Sequence, residues 1–122
     1  MSARRLAGVV VGLAIALALA PVARAHAILV GSQPEENAEL AGPDVDLRLE
    51  FNSRIDAARS SLQLAKDGGA LEPLPMGEAK EPNLLVAKAA GLAPGAYRLR
   101  WQVLSVDGHV SRGDLKFTVR AP

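Results

Sequence analysis

Strict alternation of apolar and polar residues is the feature that most constrains this chain. Val45, Leu47, Leu49 and Phe51 are separated by Asp46, Arg48 and Glu50, and Tyr97, Leu99, Trp101 and Val103 by Arg98, Arg100 and Gln102. Leu115, Phe117 and Val119 repeat the pattern around Lys116 and Thr118. A period of two sends alternate side chains to opposite faces of an extended strand, so each segment is a strand with one buried and one wet face. Phe51, Tyr97, Trp101 and Phe117 all fall on the apolar phase, which makes them core candidates. Shorter strands are predicted at Ile28–Ser32, Leu62–Ala65, Ala70–Leu74 and Leu84–Ala87. Asp67-Gly68-Gly69 has the chemistry of a hairpin turn, and Gly42-Pro43 and Pro94-Gly95 each precede a strand. Residues 34–42 and 75–82 read as loops, and Asp56–Ser60 fits one helical turn. About seven short strands without a long helix predict an all-β protein, an antiparallel Greek-key β-sandwich or barrel.

The first 25 residues do not belong to that pattern. Arg4 and Arg5 precede an apolar run from Leu6 to Ala20, Pro21 breaks it, and Ala23-Arg24-Ala25 supplies small residues where a signal peptidase reads. This is the layout of a secretory signal peptide, and the run is short against the roughly 20 residues of a spanning helix. The expectation is export with cleavage after Ala25, leaving one domain over residues 26–122. Cleavage removes Arg4, Arg5 and Arg24 and no acid, so eleven bases remain against 13 acids. No basic patch survives to argue for a nucleic-acid partner. The chain contains no cysteine, so neither a disulfide nor a thiolate ligand is available.

Only two histidines exist, and both sit at unusual places. Cleavage would make His26 N-terminal, where its free α-amine and imidazole Nδ1 can chelate one ion in a six-membered ring. His109 follows Asp107-Gly108, just beyond the longest alternating strand. In an extended segment Asp107 and His109 would leave on the same side, with no side chain on Gly108 between them. Three nitrogens and a carboxylate oxygen suit the tetragonal preference of Cu(II), which also stands above zinc in general affinity. Zinc accepts the same donors but favours a tetrahedron. Each half has an ordinary explanation as well: a cleavage site must begin with some residue, and Asp-Gly is a common turn dipeptide. Their coincidence as the only histidines is what carries the metal reading.

The order of motifs resembles the CopC family of periplasmic copper-binding proteins. The resemblance rests on His26-Ala27-x-Leu29, Ser32-x-Pro34, Leu47-x-Leu49-x-Phe51, Leu92-x-Pro94-Gly95-x-Tyr97, Trp101-x-Val103-x-Ser105-x-Asp107-Gly108-His109 and Gly113-x-Leu115-x-Phe117-x-Val119. It implies an immunoglobulin-like sandwich of about seven strands and a copper site, one Cu(II) per chain, held by His26, Asp107 and His109. It further implies a monomeric carrier or buffer in copper homeostasis or resistance, not an enzyme, with a CopD-like inner-membrane protein as its partner. Two departures qualify the likeness. Some members hold Cu(I) in a Met- and His-rich loop, whereas Met76 is here the single methionine beyond residue 25 and has no histidine near it. No second site is expected, since one thioether holds Cu(I) poorly. Some members also carry a glutamate where this chain has Ser53. Asp114, at the start of a strand, reads as a surface charge. The competing readings are a metal-free interaction module and a copper-dependent oxidative enzyme acting on polysaccharide.

Overall fold

The computed structural model describes residues 26–122; the predicted export segment, 1–25, lies outside the described residues. These form eight strands, β1 (Leu29–Gln33), β2 (Ala38–Ala41), β3 (Val45–Phe51), β4 (Ile55–Lys66), β5 (Glu72–Leu74), β6 (Leu84–Ala89), β7 (Gly95–Ser105) and β8 (Val110–Arg120). A three-stranded sheet has the order β1-β3-β6 and a five-stranded sheet the order β2-β8-β7-β4-β5. The two form an immunoglobulin-like sandwich.

The alternating residues face inward as their period requires. Val45, Leu47, Leu49 and Phe51 of β3 meet Tyr97, Leu99, Trp101 and Val103 of β7 and Leu115, Phe117 and Val119 of β8 in one buried cluster. Each such side chain contributes about 1.5–3 kcal/mol by leaving water. The aromatic residues set the geometry of the core: Phe51 and Trp101 meet edge to face at 5.2 Å, and Tyr97 stacks on Phe117 at 5.5 Å. The Tyr97 hydroxyl reaches back to donate to the Ala93 carbonyl at 2.7 Å, satisfying the one polar atom that its burial would otherwise strand. Trp101 lies opposite Gly113 across the β7–β8 pair. A Cβ on Gly113 would stand 2.5 Å from Trp101 Cζ2, so the indole occupies the space that glycine leaves.

Asp67-Gly68-Gly69 closes the β4–β5 hairpin as expected, the Gly69 N–H donating to the Lys66 carbonyl at 2.7 Å. Three segments differ from the expectation. Residues 38–41, within the predicted loop 34–42, form β2, which pairs in parallel with β8 and extends the five-stranded sheet. Four residues that include two alanines carry almost no strand signal of their own. Asp56–Ser60 is not a helical turn but part of β4, whose register against β7 shifts between Asp56 and Ser61. The Ser60 hydroxyl donates to the Asp56 carbonyl at 2.7 Å and accepts the Leu104 N–H at 3.2 Å. It thus supplies bonds that the irregular ladder lacks, while the outward bulge of Ala57, Ala58 and Arg59 erases the period. In the predicted loop 75–82, Met76 bridges to Ala87 and packs against the core.

Candidate metal centre

One end of the sandwich gathers the start of β1, the β3–β4 corner and the β7–β8 turn. Ile55 lies opposite Ser105 in the β4–β7 pair, and Leu29 opposite Phe51 in the β1–β3 pair. The two ladders therefore bring the residues before β1 and the residues after β7 to the same rim, although they are far apart in sequence.

Ser105, buried at 2% exposure, organises the turn. Its N–H donates to the His109 carbonyl at 2.8 Å, and the Gly108 N–H donates to the Ser105 carbonyl at 2.9 Å. Its hydroxyl accepts the His109 N–H at 3.2 Å and donates to Asp107 Oδ1. Gly108 has φ = 92°, a conformation that any Cβ would strain. Asp107 and His109 are thus brought together by a tight turn and not, as the spacing alone implies, by an extended strand. Asp107 Oδ1 lies 3.3 Å from His109 Nδ1. The Ser105 hydroxyl holds the Asp107 carboxyl below its ordinary value against the opposing effect of burial, and His109 lowers it further. Asp107 is therefore an anion at neutral pH, and an Nδ1–H of His109 directed at it leaves Nε2 open to an ion.

His26 meets His109 across the rim, the rings edge to face with centroids 5.3 Å apart and an interplanar angle of 69°. An imidazole nitrogen bonds a divalent ion at about 2.0 Å, which puts centroids of two rings on one ion between about 4.4 Å (cis) and about 6.3 Å (trans) apart. The observed separation falls inside that window. Among the described residues no three His, Asp or Glu side chains form a closed metal-binding group. The two contacts share His109, and closing the set requires exposed side chains to rotate, which surface groups do freely.

The other candidate residues fall elsewhere. Asp114 pairs with Arg100, its Oδ1 accepting from Nε at 2.9 Å, and lies 3.6 Å from Arg98. Arg100 holds its carboxyl below the ordinary value, as befits a surface charge. The Ser53 hydroxyl and the Trp101 indole nitrogen are buried without a hydrogen-bond partner among the described residues. Sequence reasoning missed the role of Asn52, which bonds the main chain of Ile28 beside the rim. Its signal is slight: a side-chain amide directly after the last apolar residue of a strand. The large apolar side chains left most exposed, Ile28, Val30, Val106 and Val110, flank His26 and the Asp107–His109 turn in sequence.

A small Greek-key sandwich with two histidines and a carboxylate gathered at one rim is the class that fold and site define. The CopC domain model matches residues 29–120, and the chain belongs to the CopC family. It is 33% identical to CopC from Methylosinus trichosporium OB3b, whose crystal structure it matches with a TM-score of 0.70 over 78% of this chain and 94% of that one. It is 32% identical to copper resistance protein C of Xanthomonas campestris pv. juglandis, over 96% of this chain and 97% of the relative. It is 29% identical to the copper transport protein CutJ of Bacillus subtilis, over 78% of this chain but only 18% of that longer protein.

Proposed function

We propose that the chain, cleaved after Ala25 on export, is a periplasmic Cu(II) carrier or buffer serving copper homeostasis or resistance. One ion binds per chain, held by the amine and imidazole of His26, the Asp107 carboxylate and the His109 imidazole. The single observation that carries this is the 5.3 Å approach of the two histidine rings, a spacing one ion can bridge. Asp107 joins the ligand set by turning its carboxylate away from His109 Nδ1, which Oδ1 faces at 3.3 Å before an ion binds. Cleavage matters because the His26 nitrogen is an amide until Ala25 is removed, and an amide is a poor donor at neutral pH. Copper is favoured over zinc by the nitrogen-rich chelate and by the copper resistance and transport proteins among the relatives.

A carrier is favoured over an oxidative polysaccharide enzyme because a glycan is gripped by exposed aromatic rings. Phe51, Tyr97, Trp101 and Phe117 are all buried in the core. The exposed apolar residues around the rim suit brief docking with a protein that receives the ion, and a CopD-like inner-membrane protein is the partner we propose. CutJ, a transport protein much longer than its matching region, is consistent with such a pairing.

Cu(II) titration of the protein recovered after export, followed by paramagnetic resonance, tests the proposal. One equivalent should bind with a tetragonal spectrum carrying nitrogen hyperfine structure. A protein that takes up no Cu(II), or takes it up without nitrogen coupling, is not the carrier described here.

A further inference from the structure

β3 leaves its sheet at Asn52. The last residue of the strand, Phe51, lies opposite Leu29, and its carbonyl accepts from Asn83 Nδ2 at 3.1 Å. The next rung of an antiparallel ladder would join Ile28 and Asn52 by two backbone bonds. Only one of these is a backbone bond, the Asn52 N–H donating to the Ile28 carbonyl at 2.9 Å. The other is made by the side chain, the Ile28 N–H donating to Asn52 Oδ1 at 2.8 Å. The Asn52 amide oxygen stands in for a main-chain carbonyl and carries the ladder one rung past the end of β3. Ala27, the next residue outward, is buried at 3% exposure, and His26 follows it directly, against His109.

We infer that Asn52 is a positioning residue for the metal site: its side-chain amide fixes the N-terminal arm so that the His26 amine and imidazole face His109 before an ion arrives. The inference rests on the copper reading above but concerns a residue that donates nothing to the ion. Without the Asn52 oxygen, the arm loses a bond that orders it, and the entropy of ordering residues 26–28 falls on metal binding.

The test compares exported wild type with Asn52→Leu, which is similar in size and cannot accept, and Asn52→Asp, which keeps the Oδ acceptor. Cu(II) affinity should fall about ten- to a hundredfold in Asn52→Leu, with a heterogeneous resonance spectrum, and return to within a few-fold of wild type in Asn52→Asp. In the metal-free proteins the Ile28 amide should exchange with solvent faster in Asn52→Leu and slowly again in Asn52→Asp. Wild-type affinity and spectrum in Asn52→Leu, or equal loss in both variants, overturns the inference. A wild type that takes up no Cu(II) sinks the copper reading alone. Metal-free exchange at Ile28 then decides the role of Asn52: unchanged protection in Asn52→Leu overturns it, and loss with recovery in Asn52→Asp supports it.

Discussion

His109 does two things that mutation can separate. Its main chain closes the β7–β8 turn through Ser105, while its imidazole stands exposed beside Asp107 and His26. His109→Ala keeps the main-chain bonds and empties no core, so metal-free stability should change by no more than about 0.5 kcal/mol. Cu(II) affinity should fall steeply, as a competing chelator will show; an unchanged affinity would remove His109 from the ligand set. Acid acts on different residues. Asp107 and Asp114 both titrate below the ordinary 3.8 when folded, through Ser105 and Arg100 respectively. The unfolded chain therefore binds more protons than the native one as pH falls through and below that value. The stabilisation is complete above it and is lost as pH drops through the folded values. Metal-free melting should be steady down to about pH 4 and decline below it, less steeply in Asp114→Asn. Both groups are solvated, so the effect is modest.

The β7–β8 hairpin is the element on which core and site both depend. Trp101 from one strand fills the space over Gly113 on the other and meets Phe51 of the opposing sheet. Phe51 directly precedes Asn52, so the same packing supports the anchor of the N-terminal arm. Trp101→Ala should cost on the order of 3 to 5 kcal/mol by opening a cavity, measured as a lower denaturant midpoint in the metal-free protein. Any loss of copper in that variant would follow from unfolding. Gly113→Ala should also destabilise, for the opposite reason: its methyl cannot enter without displacing the indole, an overpacking cost of about 1–3 kcal/mol. A Gly113→Ala melting curve superimposable on wild type would show that the ring yields more easily than its packing implies.

At the scale of the whole molecule, the proposed site ties two chain segments that come together only in the native state. An ion that binds the folded rim and not the unfolded chain raises stability by mass action, about 2.7 kcal/mol at a free concentration a hundred times its dissociation constant. Stoichiometric Cu(II) should therefore raise the melting temperature, and a chelator should return it to the metal-free value. Extending the chain by one residue before His26 removes no side chain but converts the amine to an amide. It should abolish most of that rise while leaving metal-free melting unchanged. A rise of equal size in the extended protein would show that the amine is no ligand. Mass spectrometry of exported protein should give a chain beginning at His26, on which the whole arrangement depends.

The alternation at 45–51, 97–103 and 115–119 was sufficient to determine an all-β sandwich or barrel and its core residues, because a period of two admits one buried face and no other regular structure; the division into two sheets came from the tertiary structure. The same local reasoning could not find β2 or the irregular start of β4. Ala38–Ala41 becomes a strand only by pairing with β8, and Asp56–Ser60 stays extended because Ser60 is bonded to β7. The two histidines and the aspartate were legible as candidate metal donors from their chemistry and their scarcity. That His26 and His109 face each other at one rim was not, because proximity across the fold depends on strand order and register. Sequence spacing suggested an extended Asp107–His109 pair; the Ser105-centred turn that joins them needed the backbone of the finished hairpin. Asn52 lay beyond sequence reasoning for the same reason. Its side chain acts as a ladder carbonyl only once β1 and β3 have met, so its role is a property of the tertiary structure alone.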